Sequence, residues 1–282
     1  MTIARCALIL AAITSSTAAL ARDEPLWEAG IGIAGVHFPD YRGSSHSRNY
    51  ALPAPYLVYR GDFLKADRYG LRAMLFRSDR LDINLSAGAS LPVHSNDNAA
   101  RAGMPDLKPS LELGPSLAAT LWRSADARVK VDARFPLRGA MTVESHPRFI
   151  GGQFYPHLNV DIHDPAGMQG WNLGLAAGPV YTDGRYNRYF YEVKPQFATA
   201  SRPAYAAGGG YGGMQFLVAM SRRFPRFWVG GFARYDSLAN AVFESSPLVT
   251  SKRYVAGGIG ISWIFAESAR RVEVQPFGDE RK

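Results

Sequence analysis

The sequence predicts an all-β chain: a transmembrane, antiparallel up-and-down β-barrel of about twelve strands, with ten as the alternative count. Three observations carry this prediction. Apolar and polar residues alternate with period two along one segment after another, most of these segments run for about nine to thirteen residues, and aromatic residues gather at their ends. Alternation gives a strand one apolar and one polar face. Strands of soluble domains are usually about five to six residues long, whereas about ten residues cross a bilayer as a tilted strand. Aromatic ends match the girdles of a barrel at its two interfaces.

The chain opens with MTIARCALILAAITSSTAALA, in which Arg5 precedes an apolar run from Cys6 to Ile13 and a small-x-small ending at Ala19–Ala21. This pattern predicts a secretory signal peptide over 1–21, a barrel over 22–265 and a periplasmic tail over 266–282. The apolar run is too short to anchor the chain. Cys6 is the sole cysteine, so an exported, processed chain has no disulfide, cysteine ligand or thiol chemistry. After the leader no run of eighteen apolar residues occurs, which excludes spanning helices and leaves spanning strands open. The net charge of +8 in an exported chain points less to nucleic acid than to the anionic phosphates of lipid or lipopolysaccharide or to anionic solutes, or else to ordinary solubility spread over loops.

The strands follow in order. Trp27, Ala29, Ile31 and Ile33 oppose Glu28, Gly30 and Gly32. The segment 51–61 is strand-like, but Pro53 and Pro55 fit a strand start or an edge. Tyr69, Leu71, Ala73 and Leu75 oppose Gly70, Arg72 and Met74. LDINLSAGASL, 81–91, alternates without a fault. In 110–122 leucines oppose Ser110, Glu112 and Ser116, and in 128–138 Val129, Val131, Ala133, Phe135 and Leu137 oppose five charges, Arg128, Lys130, Asp132, Arg134 and Arg138. In 153–163 Leu158, Val160 and Ile162 oppose His157, Asn159, Asp161 and His163. Segments near 171–181, 212–221, 227–238 and 253–265 complete eleven candidates. A barrel with both ends in the periplasm needs an even number, so a twelfth strand is expected near GDFLKAD, 61–67, or within 182–210. Short turns near Asp79, Ala125 and Pro225 fall on the periplasmic side, and long connections at 92–109, 182–210 and 237–251 fall outside.

Five patches resemble the MipA/OmpV family of Gram-negative outer-membrane proteins: PDYRGS at 39–44, PAPYLVYRGDFL at 53–64, RYFYEVKP at 188–195, RPAYAAGGGY at 202–211, and SPLV at 246–249 leading into GGIGISWIF. The resemblance spans nearly the whole chain after the leader. It implies an outer-membrane barrel without enzyme chemistry, and for one branch a scaffold that brings a murein-degrading transglycosylase together with a murein synthase. The chain departs from a barrel that ends on its terminal aromatic, because seventeen residues follow Phe265; Phe277 is the candidate substitute.

The candidate lumen-facing residues are Arg72, Glu112, Arg128, Lys130, Asp132, Arg134, Arg138, His157, Asn159 and Asp161. They form either a plug of ion pairs or a selective constriction, and a narrow ten- or twelve-stranded interior favours the plug. Neighbours in the His157–His163 set are about 6.7 Å apart and its ends about 20 Å, too far for one catalytic site. No nucleophile elbow accompanies it, so a polar ladder is favoured over a lipid-acting hydrolase. No histidine pair has helical metal spacing, and no catalytic, cofactor or metal residue is assigned. GGGYGG at 208–213 lacks a phosphate-loop context and reads as close backbone approach. Arg222, Arg223 and Arg226 around Pro225 are interface-snorkelling residues or contacts for a periplasmic partner. The expected function is a non-enzymatic outer-membrane scaffold for murein hydrolase and synthase, with a small passive channel as the alternative.

Overall fold

In a computed structural model the backbone is described for residues 22–61, 64–67 and 70–274, and side chains for 23–61 and 73–274. The leader, the Arg72 side chain and Phe277 lie outside the described residues. The described chain is all-β with one short helix. Its strands are β1 (Arg22–Pro25), β2 (Trp27–Pro39), β3 (Ser47–Pro53), β4 (Tyr56–Arg60), β5 (Leu64–Asp67), β6 (Gly70–Arg77), β7 (Leu81–Ser90), β8 (Ser110–Arg123), β9 (Val129–Thr142), β10 (Phe149–Phe154), β11 (His157–His163), β12 (Trp171–Thr182), β13 (Gly210–Arg223), β14 (Phe227–Ser237), β15 (Arg253–Glu267) and β16 (Arg271–Val274). The helix, α1, is Gly184–Tyr191, between β12 and β13.

All pairings are antiparallel. Starting from β2, the ladder passes to β15, β14, β13 and β12, then to β11 and β10, and on through β9, β8, β7, β6, β5 and β4. Strand β4 pairs with β2 again. Two courses are broken at proline: β3 and β4 on either side of Ala54–Pro55, and β10 and β11 on either side of Tyr155–Pro156. The expected single strand 153–163 is thus two strands and starts earlier, at Phe149. Proline cannot donate to the ladder, which accounts for both breaks. Strand β5 lies within GDFLKAD, one of the two places expected for a further strand, while the other, 182–210, holds α1.

The faces are inverted relative to a soluble protein. Along β7 each odd residue from Leu81 to Ala89 is exposed and each even residue is buried or half-buried. Glu28 and Asp236 are fully buried, whereas Ile259 is 76% and Leu57 62% exposed. A bulge between Thr120 and Trp122 slips the register by one and turns both Leu121 and Trp122 outward. At the ends of the described residues, β15 continues past Phe265 to Glu267, and β16 pairs with β1 from Arg22↔Val274 to Pro25↔Arg271.

The apolar core that does exist sits at one end, in the long connections. Tyr41, Val93, Leu107, Phe190, Tyr191, Val193, Leu238, Phe243 and Leu248 form one buried cluster. Four connections, 40–46, 91–109, 183–209 and 238–252, therefore fold together as a cap. Tyr191 stacks on Phe243 at 3.8 Å and donates its hydroxyl to the Arg42 carbonyl at 3.0 Å. Tyr41 donates to the Leu248 carbonyl at 2.8 Å, and Arg101 to that of Phe190 at 3.1 Å. Helix α1 starts where Asp183 accepts from the Tyr186 N–H at 2.7 Å. Fully buried Asn187 pins it, accepting from Thr182 and donating to the Gly208 carbonyl, both at 2.7 Å.

Candidate functional site

The buried strand faces surround a cavity of about 2010 Å³ that runs from beneath the cap, at Tyr41 and Tyr191, to the short turns at Ala127 and Asp164. Alternation brings the polar residues of β7–β12 onto one side of it. Register then sets their partners, because Asp161 lies opposite Lys130 and Asn159 opposite Asp132.

Asp132 is the hub of this polar side. It faces Lys130 at 3.4 Å and Arg134 at 3.1 Å, and accepts from Thr120 at 3.1 Å. Arg134 also reaches Asp161 at 3.6 Å, and Asn159 donates to Asp161 at 2.7 Å. Arg138 donates to Ser86 at 3.0 Å. Glu112 accepts from Tyr186 of the cap at 3.2 Å and from Gln153. Cations and anions alternate along this ladder, so its charges are largely neutralised in place.

Two expected members differ. Arg128 stands in the turn before β9, 59% exposed and 3.8 Å from Asp126; β9 starts only at Val129, which leaves Arg128 at the cavity mouth rather than on the ladder. Arg72 is opposite Ser86 by its backbone, but its side chain lies outside the described residues. His157 faces the cavity with Nδ1 2.8 Å from the Tyr155 carbonyl and its ring stacked on Tyr155 at 4.3 Å. Asp161 is engaged by Asn159 and Arg134, so His157 and Asp161 have separate partners.

The three arginines near Pro225 also part company. Arg223, its side chain 35% exposed, binds Glu28 at 2.9 Å and Glu267 at 3.3 Å. Arg222 lies over the Phe224 ring at 4.5 Å, and Arg226 is exposed in the turn.

Several buried charges lie outside the expected set. Glu28 holds Arg60 at 2.7 Å together with Arg223, forming a floor at the short-turn end. Its signal was present, as the lone charge on the glycine face of β2. Beneath the cap, Asp236 binds Arg42 at 3.0 Å and Arg234 at 2.7 Å. Arg42 comes from a connection, where alternation says nothing. In the cap itself, burial pushes the Tyr41 phenol up to about 12 and holds the Arg101 guanidinium below its ordinary value.

Between these two ion clusters, the opposite side of the cavity carries an apolar band. Val36, Phe38, Tyr50, Tyr56, Trp228 and Phe232 line it, with Phe38 and Phe232 centred 5.9 Å apart and Tyr56 and Trp228 6.2 Å apart. Glycine makes the room: a Cβ on Gly258 would stand 2.7 Å from a Val36 methyl and 3.1 Å from the Phe232 ring. Among the described residues no group of three or more His, Cys, Asp or Glu is placed to hold a metal ion.

No curated protein matches the chain. Among solved structures, the toluene transporter TbuX of Ralstonia pickettii is similar at 10% identity and a TM-score of 0.24, covering 88% of this chain and 71% of that one. A likeness that low carries no argument. The family model described as MltA-interacting protein MipA matches residues 31–265. That match runs from within β2 to Phe265 of β15, and the chain belongs to the MipA family.

Proposed function

We propose that the protein is a non-enzymatic outer-membrane β-barrel of twelve courses, closed by the β2–β15 seam. In this reading it is capped on its outer side and acts as a periplasmic scaffold for a murein-remodelling enzyme. The return of the pairing series to β2 supports closure, counting β3 with β4 and β10 with β11 as single courses. The inverted faces support a lipid surround: a belt bearing Ile31, Leu57, Ile259 and Trp263 in the open is costly in water at about 25 cal/mol per Å² and favourable against lipid and the acyl chains of lipopolysaccharide.

The observation that carries the scaffold reading is the cap. Four connections share one apolar core over one mouth, and the ladder beneath is made of paired charges, so the lumen is built to be filled rather than crossed. The family model's description names an interaction with MltA, which suggests a murein hydrolase as the class of partner. The opposite end offers the surface, in the β1–β16 ribbon and the exposed Arg226 turn. The size of the cavity favours a second reading, a small channel.

Single-channel recording on the refolded protein separates the two. A heat-modifiable barrel that stays silent, and that cross-links to a murein hydrolase through a photo-reactive group at Arg226, supports the scaffold. Steady conductance moves the function to transport, and cross-linking to no murein enzyme removes the scaffold.

A further inference from the structure

Strand β3 is hydrogen-bonded along one side alone among the described residues. Ser47–Pro53 pair with Ile33–Pro39 of β2, while the next strand in the ladder, β5, has four residues and meets only Tyr59 and Arg60. On the other flank β7 pairs with β6 as far as Ser86, and among the described residues Ala87–Ser90 pair with β8 alone. Among the described residues the wall is therefore unpaired between β3 and the end of β7, an opening on the capped half above the β5–β6 hairpin. The cavity reaches this opening, touching Tyr50, Ala54 and Pro55 on one side and Gly88, Ala89 and Ser90 on the other.

Proline decides what such an opening can do. A free edge ordinarily adds a strand from another chain. Ala54 donates its N–H toward β2, to the Gly32 carbonyl at 2.9 Å. Residues of an antiparallel strand face opposite neighbours in turn, so Pro53 turns toward the opening, where it has no N–H to donate. An edge interrupted in this way resists strand addition and leaves a passage.

The passage leads to an amphipathic interior. On one side is a single aromatic stripe, from Phe38 and Phe232 to Tyr56 and Trp228. Facing it is a ladder whose cations and anions already pair, Lys130 and Arg134 with Asp132 and Asp161. A lone anion or cation gains from such a ladder only by displacing a partner, whereas a headgroup of both signs joins it with the charge balance kept.

We infer that the lumen binds a single-chain zwitterionic amphiphile, of the lysophosphatidylethanolamine type, which enters sideways from the membrane between β3 and β7. Its chain lies on the aromatic stripe and its headgroup on the charged ladder. The inference rests on the barrel reading and is independent of the scaffold role.

The test is native mass spectrometry of the refolded protein in a non-ionic detergent, with lysophosphatidylethanolamine and palmitate offered separately. One lysophosphatidylethanolamine is expected to stay bound per barrel and palmitate to bind more weakly. Phe232→Asp, which sets a charge in the stripe, is expected to weaken binding about tenfold or more, and Ala54→Trp, which fills the passage, to slow loading. Heat-modifiable mobility checks that each variant has folded. Equal retention by wild type and both variants would mark lipid held on the outer belt and overturn the site, as would no retention by a folded wild-type barrel. Tighter binding of palmitate would overturn the zwitterionic headgroup. Loss of heat-modifiable mobility in the wild type would instead sink the barrel reading, and this inference with it.

Discussion

Glu28 Oε2 and Arg223 Nε meet 2.9 Å apart, joining β2 to β13 at the short-turn end of the cavity. The carboxylate is fully buried, and its second oxygen is held by Arg60 at 2.7 Å. Glu28→Ala would leave two guanidinium groups without their shared partner. Breaking a buried pair costs about 3–5 kcal/mol; with Arg223 35% exposed, water moderates this and the low end is expected. Urea unfolding in liposomes should show the loss, and Arg223→Ala should cost less than Glu28→Ala.

Asp132 sets the electrostatic sign of the ladder. In the intact protein its replacement by Asn should leave conductance absent, since the cap governs passage in the proposed reading. In a variant whose 184–207 connection is shortened, conductance should appear with little ion preference, because the ladder is balanced. Adding Asp132→Asn to that variant leaves Lys130 and Arg134 in excess, and reversal potentials should then move toward anion selectivity. A cation-selective double variant would show that the ladder is not balanced.

The cap depends on Tyr191, which is 2% exposed. Tyr191→Ala removes the stack on Phe243 and the hydrogen bond to Arg42, and large aromatic-to-Ala changes in a core cost about 3–5 kcal/mol. Hydrogen exchange should rise across 183–209 and 238–252 together, while the strands below keep their protection.

The same connections should respond to acid. The Ser95 N–H and His94 hold the Asp106 carboxyl below its ordinary value, and Lys252 and the Asn240 N–H do the same for Glu244. A carboxyl whose pKa is lowered by folding stabilises the fold above its unfolded value of about 4, and that contribution fades as pH falls through the lowered one. Exchange protection in 91–109 and 238–252, corrected for intrinsic rate, should be flat from neutral pH to about 5 and decline below about 4. Asp106→Asn should abolish that decline in 91–109 only.

Pro53 guards the open edge. Pro53→Val restores a donor facing the opening, and the variant should form higher oligomers in detergent, seen by light scattering, at unchanged barrel mobility. A strictly monomeric variant would mean that the edge is covered by other means.

Alternation by itself determined which face of β2, β7, β8 and β9 carries apolar side chains and which carries charge, because side-chain direction along a strand follows from the backbone repeat alone. It also placed Glu112, Lys130, Asp132, Arg134 and Arg138 on one polar surface, and the parity of the turns called for a further strand near 61–67 or within 182–210, of which the first holds Leu64–Asp67. Pairing between distant residues was decided only by the tertiary structure. Glu28 and Arg223 are 195 positions apart, and Tyr191 meets Arg42 across 149, through register and loop packing that no local pattern encodes. For the same reason the Arg223 guanidinium finds Glu28, and the strand that ends at Pro53 has a partner on one side alone among the described residues: each depends on which neighbour stands across the wall, and a neighbour is a property of the fold.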